Sequence, residues 1–360
     1  MKARRIFGDF EPYGWEPSNE QIAGEFGLKA DRIIRFDTNT SPYAPTRLLR
    51  KLENGLETLP LNRYPDTSYS NLIKKLASYN SCNPDSIMVS NGADESLDII
   101  MKTFVDEDSE VMLSVPTYSY YPVLVRLMAG KVKQIKRNKD FSDNLAAIKN
   151  AIGKNTRMVL LCSPNNPTGN LVDQKGLKKL LETDCAVVID EAYYEFSGKS
   201  IATLTRSYDN LIVVRTFSKA FSLAGLRVGY TIASEKTTSQ LNMVRPPNSV
   251  GVISLRLAEM ALDNVELMKE NVARVLAERD RCIAALNKVR GIKALPTNAN
   301  FMLVRFAKHT GSEVYKKLAK RSLVVRDVSK LPSLKRCVRF SVGKPEENDA
   351  LLKAISEIVN

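Results

Sequence analysis

The chain has 360 residues, 44% of them hydrophobic, and a formal net charge of +13 at pH 7. A chain of this length buries a sizeable core and is expected to divide into two lobes. The single histidine, His309, and five scattered cysteines without a CxxC pair argue against a metal site and a disulfide framework, and favour a reducing cytoplasm.

The gross sequence features also argue against a membrane protein or a nucleic-acid-binding protein. The sequence contains no stretch of about 20 apolar residues, so no membrane span is expected. The N-terminal sequence MKARRIFGDFEPYGW has basic residues without an apolar core behind them, so no secretory signal is expected. Basic and acidic residues are interleaved, as in ERDRCIAALNKVR, and no RNA- or DNA-binding signature accompanies them. A basic surface equally suits phosphorylated or carboxylate substrates.

The first 80 residues contain few regular elements. They are predicted to be irregular up to about residue 35, apart from a short helix over 19–26. A short strand and a proline-rich loop follow in IIRFDTNTSPYAP, and then a helix is predicted over 47–57. The Tyr-Pro-Asp sequence at 64–66 predicts a turn, because proline restricts the backbone and aspartate stabilises a bend. An amphipathic helix over 70–79 comes next.

The segment SIMVSNGADESLDIIMKTF combines a strand, a glycine turn and a helix. The strand is predicted over 87–89, the turn over 91–93, and the helix over 94–104, where apolar residues recur at helical spacing. Free backbone N–H groups and the helix dipole at such an N-terminus favour a bound anion. The alternative is a plain strand-to-helix connection without a ligand.

Three further strands end in polar or aromatic residues. The strand in EVMLSVPTYSYYPVL precedes Tyr118, Tyr120 and Tyr121, which are core or interface residues unless one ring stacks on a planar cofactor. The strand in TRMVLLCSPNNPTGN ends in a rigid proline turn that keeps an asparagine amide in one orientation. The strand AVVID ends in Asp190, a carboxylate that needs a partner. A cationic pyridine nitrogen is suitable, because the carboxylate keeps it protonated and able to accept electrons.

Lys219 is the most distinctive residue of the segment VVRTFSKAFSLAGLRVGY. A buried strand over 211–214 leads to Thr216 and Ser218, and a Gly-Leu-Arg-x-Gly turn follows the lysine. The hydroxyl groups predict a phosphate site beside a reactive amine. In a tight apolar setting a lysine loses its proton more easily and attacks a carbonyl, which forms a Schiff base. The alternative is a solvated lysine at an ordinary strand-to-loop junction.

Strands and helices alternate over residues 87–235, which predicts a largely parallel sheet covered on both faces. Such sheets bind ligands beyond the carboxyl ends of their strands. Ala93, Asn166, Asp190 and Lys219 all follow predicted strands, so the sequence predicts that they meet at one site.

The chain after Val250 predicts a second, smaller α/β lobe. A long amphipathic helix is expected over 264–288, followed by strands and helices in alternation. Arg326 and Arg339 lie on or at the ends of predicted strands. Such arginines are commonly edge or solvent-facing residues, but beside a cleft two of them can bind an anion bidentately.

The segments SPNNPTG, VVIDEAYYEF and RTFSKAFSLAGLRVGY, in this order, resemble those of class I/II pyridoxal 5′-phosphate aminotransferases of fold type I. Within that class the chain is most similar to the histidinol-phosphate aminotransferases. The resemblance implies an α/β fold, with a mostly parallel seven-stranded sheet between helices and a smaller α/β domain. It also implies an N-terminal segment over 1–37, a large domain over 38–262, a small domain over 263–360, and a homodimer with shared active sites.

The resemblance assigns a cofactor role to eleven residues. Lys219 is the lysine that binds the cofactor covalently, Asp190 the partner of its ring nitrogen, and Tyr193 the third catalytic residue. With Asn166, Tyr193 hydrogen-bonds the phenolic oxygen, while Tyr118 stacks on the ring. The residues assigned to the cofactor phosphate are Ala93 and Asp94 through their backbone amides, Thr216, Ser218, Arg227, and Tyr64 from the neighbouring subunit.

The substrate assignments also come from the resemblance. Arg339 and Arg326 match arginines that bind a substrate carboxylate or phosphate, and Tyr13 and Asn39 match further substrate contacts. The chain has TNTSPYAP where the family usually has Asn-Glu-Asn-Pro-Tyr-Gly, and NGADES where Gly-Ser-Asp-Glu is common.

The expected reaction is a ping-pong transfer between histidinol phosphate or imidazole-acetol phosphate and glutamate or 2-oxoglutarate. Because TNTSPYAP lies beside the expected substrate pocket, an aromatic amino acid aminotransferase remains an alternative. A phosphothreonine decarboxylase is a weaker alternative, since its typical amino-terminal glycine-rich motif is not evident. A cofactor-binding regulator without turnover is a further alternative from a different class of protein.

Overall fold

Seven strands form the central sheet of the computed structural model, which describes residues 3–8, 10–53 and 55–359. The strands are β2 (Ile87–Ser90), β3 (Glu110–Val115), β4 (Lys131–Lys136), β5 (Thr156–Cys162), β6 (Ala186–Asp190), β7 (Leu211–Thr216) and β8 (Gly229–Ile232). Their spatial order is β2-β8-β7-β6-β5-β3-β4. Every strand has the same direction except β8, which is antiparallel to both of its neighbours. The mostly parallel seven-stranded sheet is therefore confirmed.

The central strands of this sheet are buried and largely apolar because helices cover both faces, whereas the edge strand β4 is polar and more exposed. All six residues of β7 and four of the five residues of β6 are buried. A sheet with only one covered face would show alternating polar residues instead. The helices in this part of the chain are α3 (Ser70–Asn80), α4 (Ala93–Phe104), α5 (Tyr121–Leu127), α6 (Leu145–Ala151), α7 (Gln174–Leu181), α8 (Tyr194–Ser197), α9 (Glu235–Val244) and α10 (Val252–Asp263).

A second, antiparallel sheet forms the C-terminal lobe, in the order β12-β13-β10-β9. Its strands are β9 (Ile292–Ala294), β10 (Phe301–Phe306), β12 (Arg326–Asp327) and β13 (Cys337–Ser341). The remaining helices are α1 (Asn19–Phe26), α2 (Thr46–Glu53), α11 (Val265–Leu286), α12 (Gly311–Ala319) and α13 (Pro345–Val359). Near the N-terminus, β1 (Ile34–Arg35) pairs in parallel with β11 (Leu323–Val324). This pairing joins the end of the N-terminal segment to the C-terminal lobe.

Two local predictions were wrong. The helix predicted over 47–57 starts at Thr46 and ends at Glu53, and a separate 3-10 helix covers Leu56–Thr58. The turn predicted over 64–66 is shifted, because the N–H of Tyr69 donates to the Asp66 carbonyl at 3.0 Å. The Asp66 carboxylate accepts hydrogen bonds from the backbone N–H groups of Ser68 and Ser70, so this side chain stabilises the turn that leads into α3. None of the helices in the described ranges is long and apolar enough to cross a membrane.

Candidate active site

The carboxyl ends of the parallel strands face a cavity of about 440 Å³. Fourteen of the fifteen residues assigned from the sequence line it: Tyr13, Asn39, Ala93, Asp94, Tyr118, Asn166, Asp190, Tyr193, Thr216, Ser218, Lys219, Arg227, Arg326 and Arg339. Tyr64 does not line it, and 84% of its surface is exposed. Tyr120 of the tyrosine cluster also reaches the cavity.

The reversed direction of β8 explains how Arg227 joins this edge. Parallel strands end at the edge, whereas the antiparallel strand β8 begins there at Gly229. The residue just before β8 therefore lies beside the residues that follow β7. The Arg227 Nη1 donates to Ser218 Oγ at 3.3 Å, and its Nη2 lies 3.2 Å from Asp94 Oδ2.

An anion-binding site, here called the anion cradle, forms where the N-terminus of α4 meets the end of β7 and the start of β8. Gly92 precedes α4 with φ +86°, and no side chain of the described residues caps this helix. A Cβ atom on Gly229 would lie 2.6 Å from the Ala93 nitrogen, so glycine allows the two backbones to approach. Thr216 Oγ1 and Ser218 Oγ lie 2.9 Å apart beside this N-terminus. Uncapped N–H groups, two hydroxyls and a guanidinium favour a phosphate.

Lys219 projects into the cavity with an amine that is easily deprotonated. Its Nζ donates to the carbonyl oxygen of Thr38 at 3.0 Å. Desolvation inside the cavity lowers the pKa of the Lys219 amine to about 8, and the positive charge of Arg339 acts in the same direction. A larger fraction of this amine is thus neutral and nucleophilic near pH 7 than of an exposed lysine.

Asp190 is a buried carboxylate, 5% exposed, at the end of β6. Its Oδ2 accepts from the Tyr121 hydroxyl at 2.7 Å, and its Oδ1 accepts from the Ala192 N–H at 2.9 Å. Desolvation raises the pKa of Asp190 to about 6. It has no ion-pair partner within the described ranges, although it faces the cavity. A cationic group bound in the cavity would supply one.

Two polar pairs line the cavity, and one of them links the C-terminal lobe to the rest of the fold. The Tyr193 hydroxyl accepts from Asn39 Nδ2 at 3.0 Å, and burial raises the pKa of Tyr193 so that it stays neutral. Arg339 Nη1 donates to Asn166 Oδ1 at 2.7 Å, and its Nη2 donates to the Asp37 carbonyl. Arg339 is 6% exposed, and its Nε has no hydrogen-bond partner in the described structure. Burial lowers the pKa of Arg339.

The sequence analysis did not predict three contacts of the site. Glu16 pairs with Arg326 at 2.7 Å, the Thr38 carbonyl accepts from Lys219, and Tyr121 holds Asp190. Tyr121 was noted within the tyrosine cluster, but its spacing did not distinguish it from Tyr118. Glu16 belongs to an irregular segment, where no periodicity identifies a functional residue.

The family model of aminotransferase class I and II matches residues 31–355. The chain belongs to this family. The predicted transaminase, its fold type I architecture and its cofactor, pyridoxal 5′-phosphate, are thereby confirmed. No group of three histidine, cysteine, aspartate or glutamate side chains suited to a metal ion occurs among the described residues.

Curated relatives match nearly the whole chain. The histidinol-phosphate aminotransferase of Caldanaerobacter subterraneus subsp. tengcongensis is 34% identical over 95% of this chain and 98% of its own length. The histidinol-phosphate aminotransferase of Methanocaldococcus jannaschii is 34% identical over 100% of this chain and 98% of its own. The crystal structure of the histidinol-phosphate aminotransferase from Clostridium acetobutylicum has 25% identity and a TM-score of 0.84, covering 91% of this chain and 99% of that one.

The cavity fits pyridoxal 5′-phosphate in three respects. The anion cradle suits its phosphate, because glycine leaves room there and the helix N-terminus is uncapped. Asp190 lacks a cationic partner, which a protonated ring nitrogen would provide. Lys219 offers an amine with a lowered pKa for the aldehyde carbon.

Proposed function

We propose that this aminotransferase moves an amino group between histidinol phosphate or imidazole-acetol phosphate and glutamate or 2-oxoglutarate, in a ping-pong reaction. The arginine pair of the C-terminal lobe carries the proposal. Arg326 and Arg339 are direct partners across β12 and β13, so both side chains lie on the same face of the sheet and line the cavity. Two guanidinium groups suit a substrate phosphate, and the names of the curated relatives agree.

We assign the cofactor contacts as follows. The anion cradle holds the phosphate, Tyr118 covers the ring, and Asp190 pairs with the ring nitrogen. Tyr118 is half-buried and lines the cavity, and its ring centroid lies 5.4 Å from that of Tyr121 in an edge-to-face arrangement that fixes the ring. Asn166 and Tyr193 lie on the cavity wall with polar atoms available to the phenolic oxygen.

The proton transfers are assigned to Lys219. When bound, the cofactor supplies an electron sink that stabilises negative charge on the substrate α-carbon. The Lys219 amine would remove the proton from the substrate α-carbon and deliver it to the C4′ carbon of the cofactor, since its pKa of about 8 suits both the base and the acid role near neutral pH. Arg339 and Arg326 bind the substrate anion, and Tyr13 and Asn39 position the rest of the substrate from the N-terminal side.

The visible spectrum of the holoenzyme tests this substrate assignment. We expect histidinol phosphate and glutamate, added singly, each to bleach the visible band of the lysine-bound cofactor. Phenylalanine, tyrosine and aspartate serve as controls and should bleach it weakly. Bleaching by phenylalanine or tyrosine, with histidinol phosphate inert, would instead identify an aromatic amino acid aminotransferase. Release of carbon dioxide from phosphothreonine would identify a decarboxylase.

We also propose that the protein is a homodimer with shared active sites. Large apolar side chains are exposed on two segments, at Leu61 and Tyr64 and at Met243, the last two with 84% of their surface exposed. Such residues are typical of an interface. Tyr64 lies outside the cavity of its own chain and would reach the cofactor phosphate of its partner.

Replacing Tyr64 by phenylalanine tests the shared site. We expect the cofactor dissociation constant to rise about tenfold, because a hydrogen bond to a charged phosphate is lost. Tyr315→Phe, in the C-terminal lobe, is the matched control and should leave that constant unchanged. An unchanged constant in Tyr64→Phe would contradict the shared site. A sedimentation mass near 40.2 kDa, that of one chain, would contradict the dimer itself.

Two further assignments belong to the proposal. The N-terminal segment comprises residues 1–37, the large domain 38–262 and the small domain 263–360, a division supported by the pairing of β1 with β11 and by the separate C-terminal sheet. The protein works in the cytoplasm, which its five free cysteines favour. Limited proteolysis and cell fractionation test these two assignments.

A further inference from the structure

A carboxylate of the chain itself occupies one of the two substrate arginines. Glu16 Oε1 lies 2.7 Å from Arg326 Nη1 and accepts a hydrogen bond from the Tyr13 hydroxyl at 3.0 Å. All three side chains line the cavity. Since Arg326 is assigned to the substrate anion, the Glu16 carboxylate lies where that anion is expected to bind.

The charge on this wall differs according to the position of Glu16. Arg326 and Arg339 are paired residues of neighbouring strands and face the cavity together. Arg339 Nε has no hydrogen-bond partner in the described ranges, so this guanidinium has a donor to spare. With Glu16 paired to Arg326 the three groups carry one net positive charge, and without it the two arginines carry two. The first arrangement suits a monoanion, the second a dianion.

The backbone around Glu16 permits it to leave. Residues 10–18 form neither helix nor strand, so a movement of Glu16 breaks no ladder of backbone hydrogen bonds. The next residue, Pro17, is held through its carbonyl by Arg35 Nη1 at 2.8 Å, which supplies a fixed point behind the moving side chain. The Glu16–Arg326 pair is partly exposed, with about a quarter to a third of each side chain open to solvent, and pairs of this kind are weak.

We infer that Glu16 is a displaceable internal anion that sets which substrates bind through Arg326. A substrate with a phosphate dianion replaces Glu16 and engages both arginines. A substrate that presents only one carboxylate to this wall, as glutamate does with one of its two, binds Arg339 and leaves Glu16 in place. This inference rests on the proposed function for the role of Arg326, and it makes Glu16 a determinant of specificity between the two half-reactions. The physical reason is that a dianion gains more from two guanidinium groups than a carboxylate does.

Trp15 provides a direct readout of the displacement. It is the only tryptophan of the chain, adjoins Glu16 and is 81% exposed. We expect inorganic phosphate, titrated into the holoenzyme, to change the Trp15 fluorescence with saturation. The holoenzyme is required because the cofactor phosphate then fills the anion cradle and leaves the arginine pair as the remaining site. Absence of any fluorescence change in the wild-type protein would overturn the displacement.

The variant Glu16→Gln measures the competition. We expect it to bind inorganic phosphate about five- to tenfold more tightly than the wild type, because phosphate no longer displaces a charge. The KM for histidinol phosphate should fall by a similar factor, and that for phenylalanine less than about threefold. Glu11→Gln is the matched control: Glu11 lies in the same segment, but its side chain is exposed and lies 3.6 Å from Arg126. Unchanged or weaker phosphate binding in Glu16→Gln would overturn the inference.

The double variant Glu16→Gln/Arg326→Gln distinguishes competition from a general charge effect. If Glu16 acts by masking Arg326, its replacement should no longer strengthen phosphate binding once Arg326 is gone. A gain that persists in the Arg326→Gln background would overturn the masking. Phosphate binding and Trp15 fluorescence need no turnover, so this outcome is independent of the substrate assignment. If histidinol phosphate failed as a substrate, the proposed function would be wrong, but the phosphate-binding and Trp15 fluorescence results would still test whether Glu16 masks Arg326.

Discussion

Replacement of Lys219 by alanine is expected to abolish turnover, with a loss of about 10⁴-fold or more. The side chain supplies both the amine that binds the cofactor and the group that moves the α-proton, and the described residues place no second lysine in the cavity. The measurement is the rate of amino transfer by the purified variant, together with its visible spectrum, which should lack the band of a lysine-bound cofactor.

Controls for this variant follow from the structure. Lys236→Ala, at a surface lysine on α9, should keep wild-type activity. In the wild-type apoprotein the rate of cofactor attachment should rise with pH and level off above about 8, since only the neutral amine attacks and burial lowers the Lys219 pKa to about 8. Activity of Lys219→Ala close to that of the wild type would remove the assignment. An attachment rate that is flat between pH 7 and 9 would contradict the lowered pKa.

Replacement of Asp190 by asparagine is expected to cost at least about 10³-fold in rate while the fold persists. The amide fits the same space, and its oxygen can still accept from the Ala192 N–H, so the end of β6 stays in place. The lost property is negative charge: an amide cannot stabilise a protonated ring nitrogen. The measurement is kcat, with the melting temperature as the check on folding.

Asp184→Asn is the matched control for Asp190, because it makes the same change at an exposed position just before β6. It should leave both kcat and the melting temperature near those of the wild type. A loss in Asp190→Asn of less than about tenfold, equivalent to roughly 1.4 kcal/mol, would mean that the carboxylate has another role. A large fall in melting temperature would assign it to stability.

Local sequence patterns predicted most of this site. The apolar run of β6 ends at Asp190, and that of β7 leads to Lys219, so the position of each residue after its strand was evident from the chain alone. Parallel strands bring their carboxyl ends to one edge, so four residues separated by up to 126 positions were expected to meet, and they line one cavity. The bounds of α2 and the turn before α3 were missed because helix ends depend on hydrogen bonds that composition does not specify.

The sequence by itself thus determined the parallel sheet and the order of the motifs along its edge, since both follow from hydrophobic runs and short turns within single segments. Tertiary structure alone decided which distant groups touch: Glu16 meets Arg326 across 310 positions, and Lys219 meets the Thr38 carbonyl across 181. Such pairs depend on how the mostly irregular chain before α2 packs against the strand ends that line the cavity. No local periodicity encodes that packing, because a charged residue in an irregular segment leaves the same pattern whether it faces solvent or a buried partner.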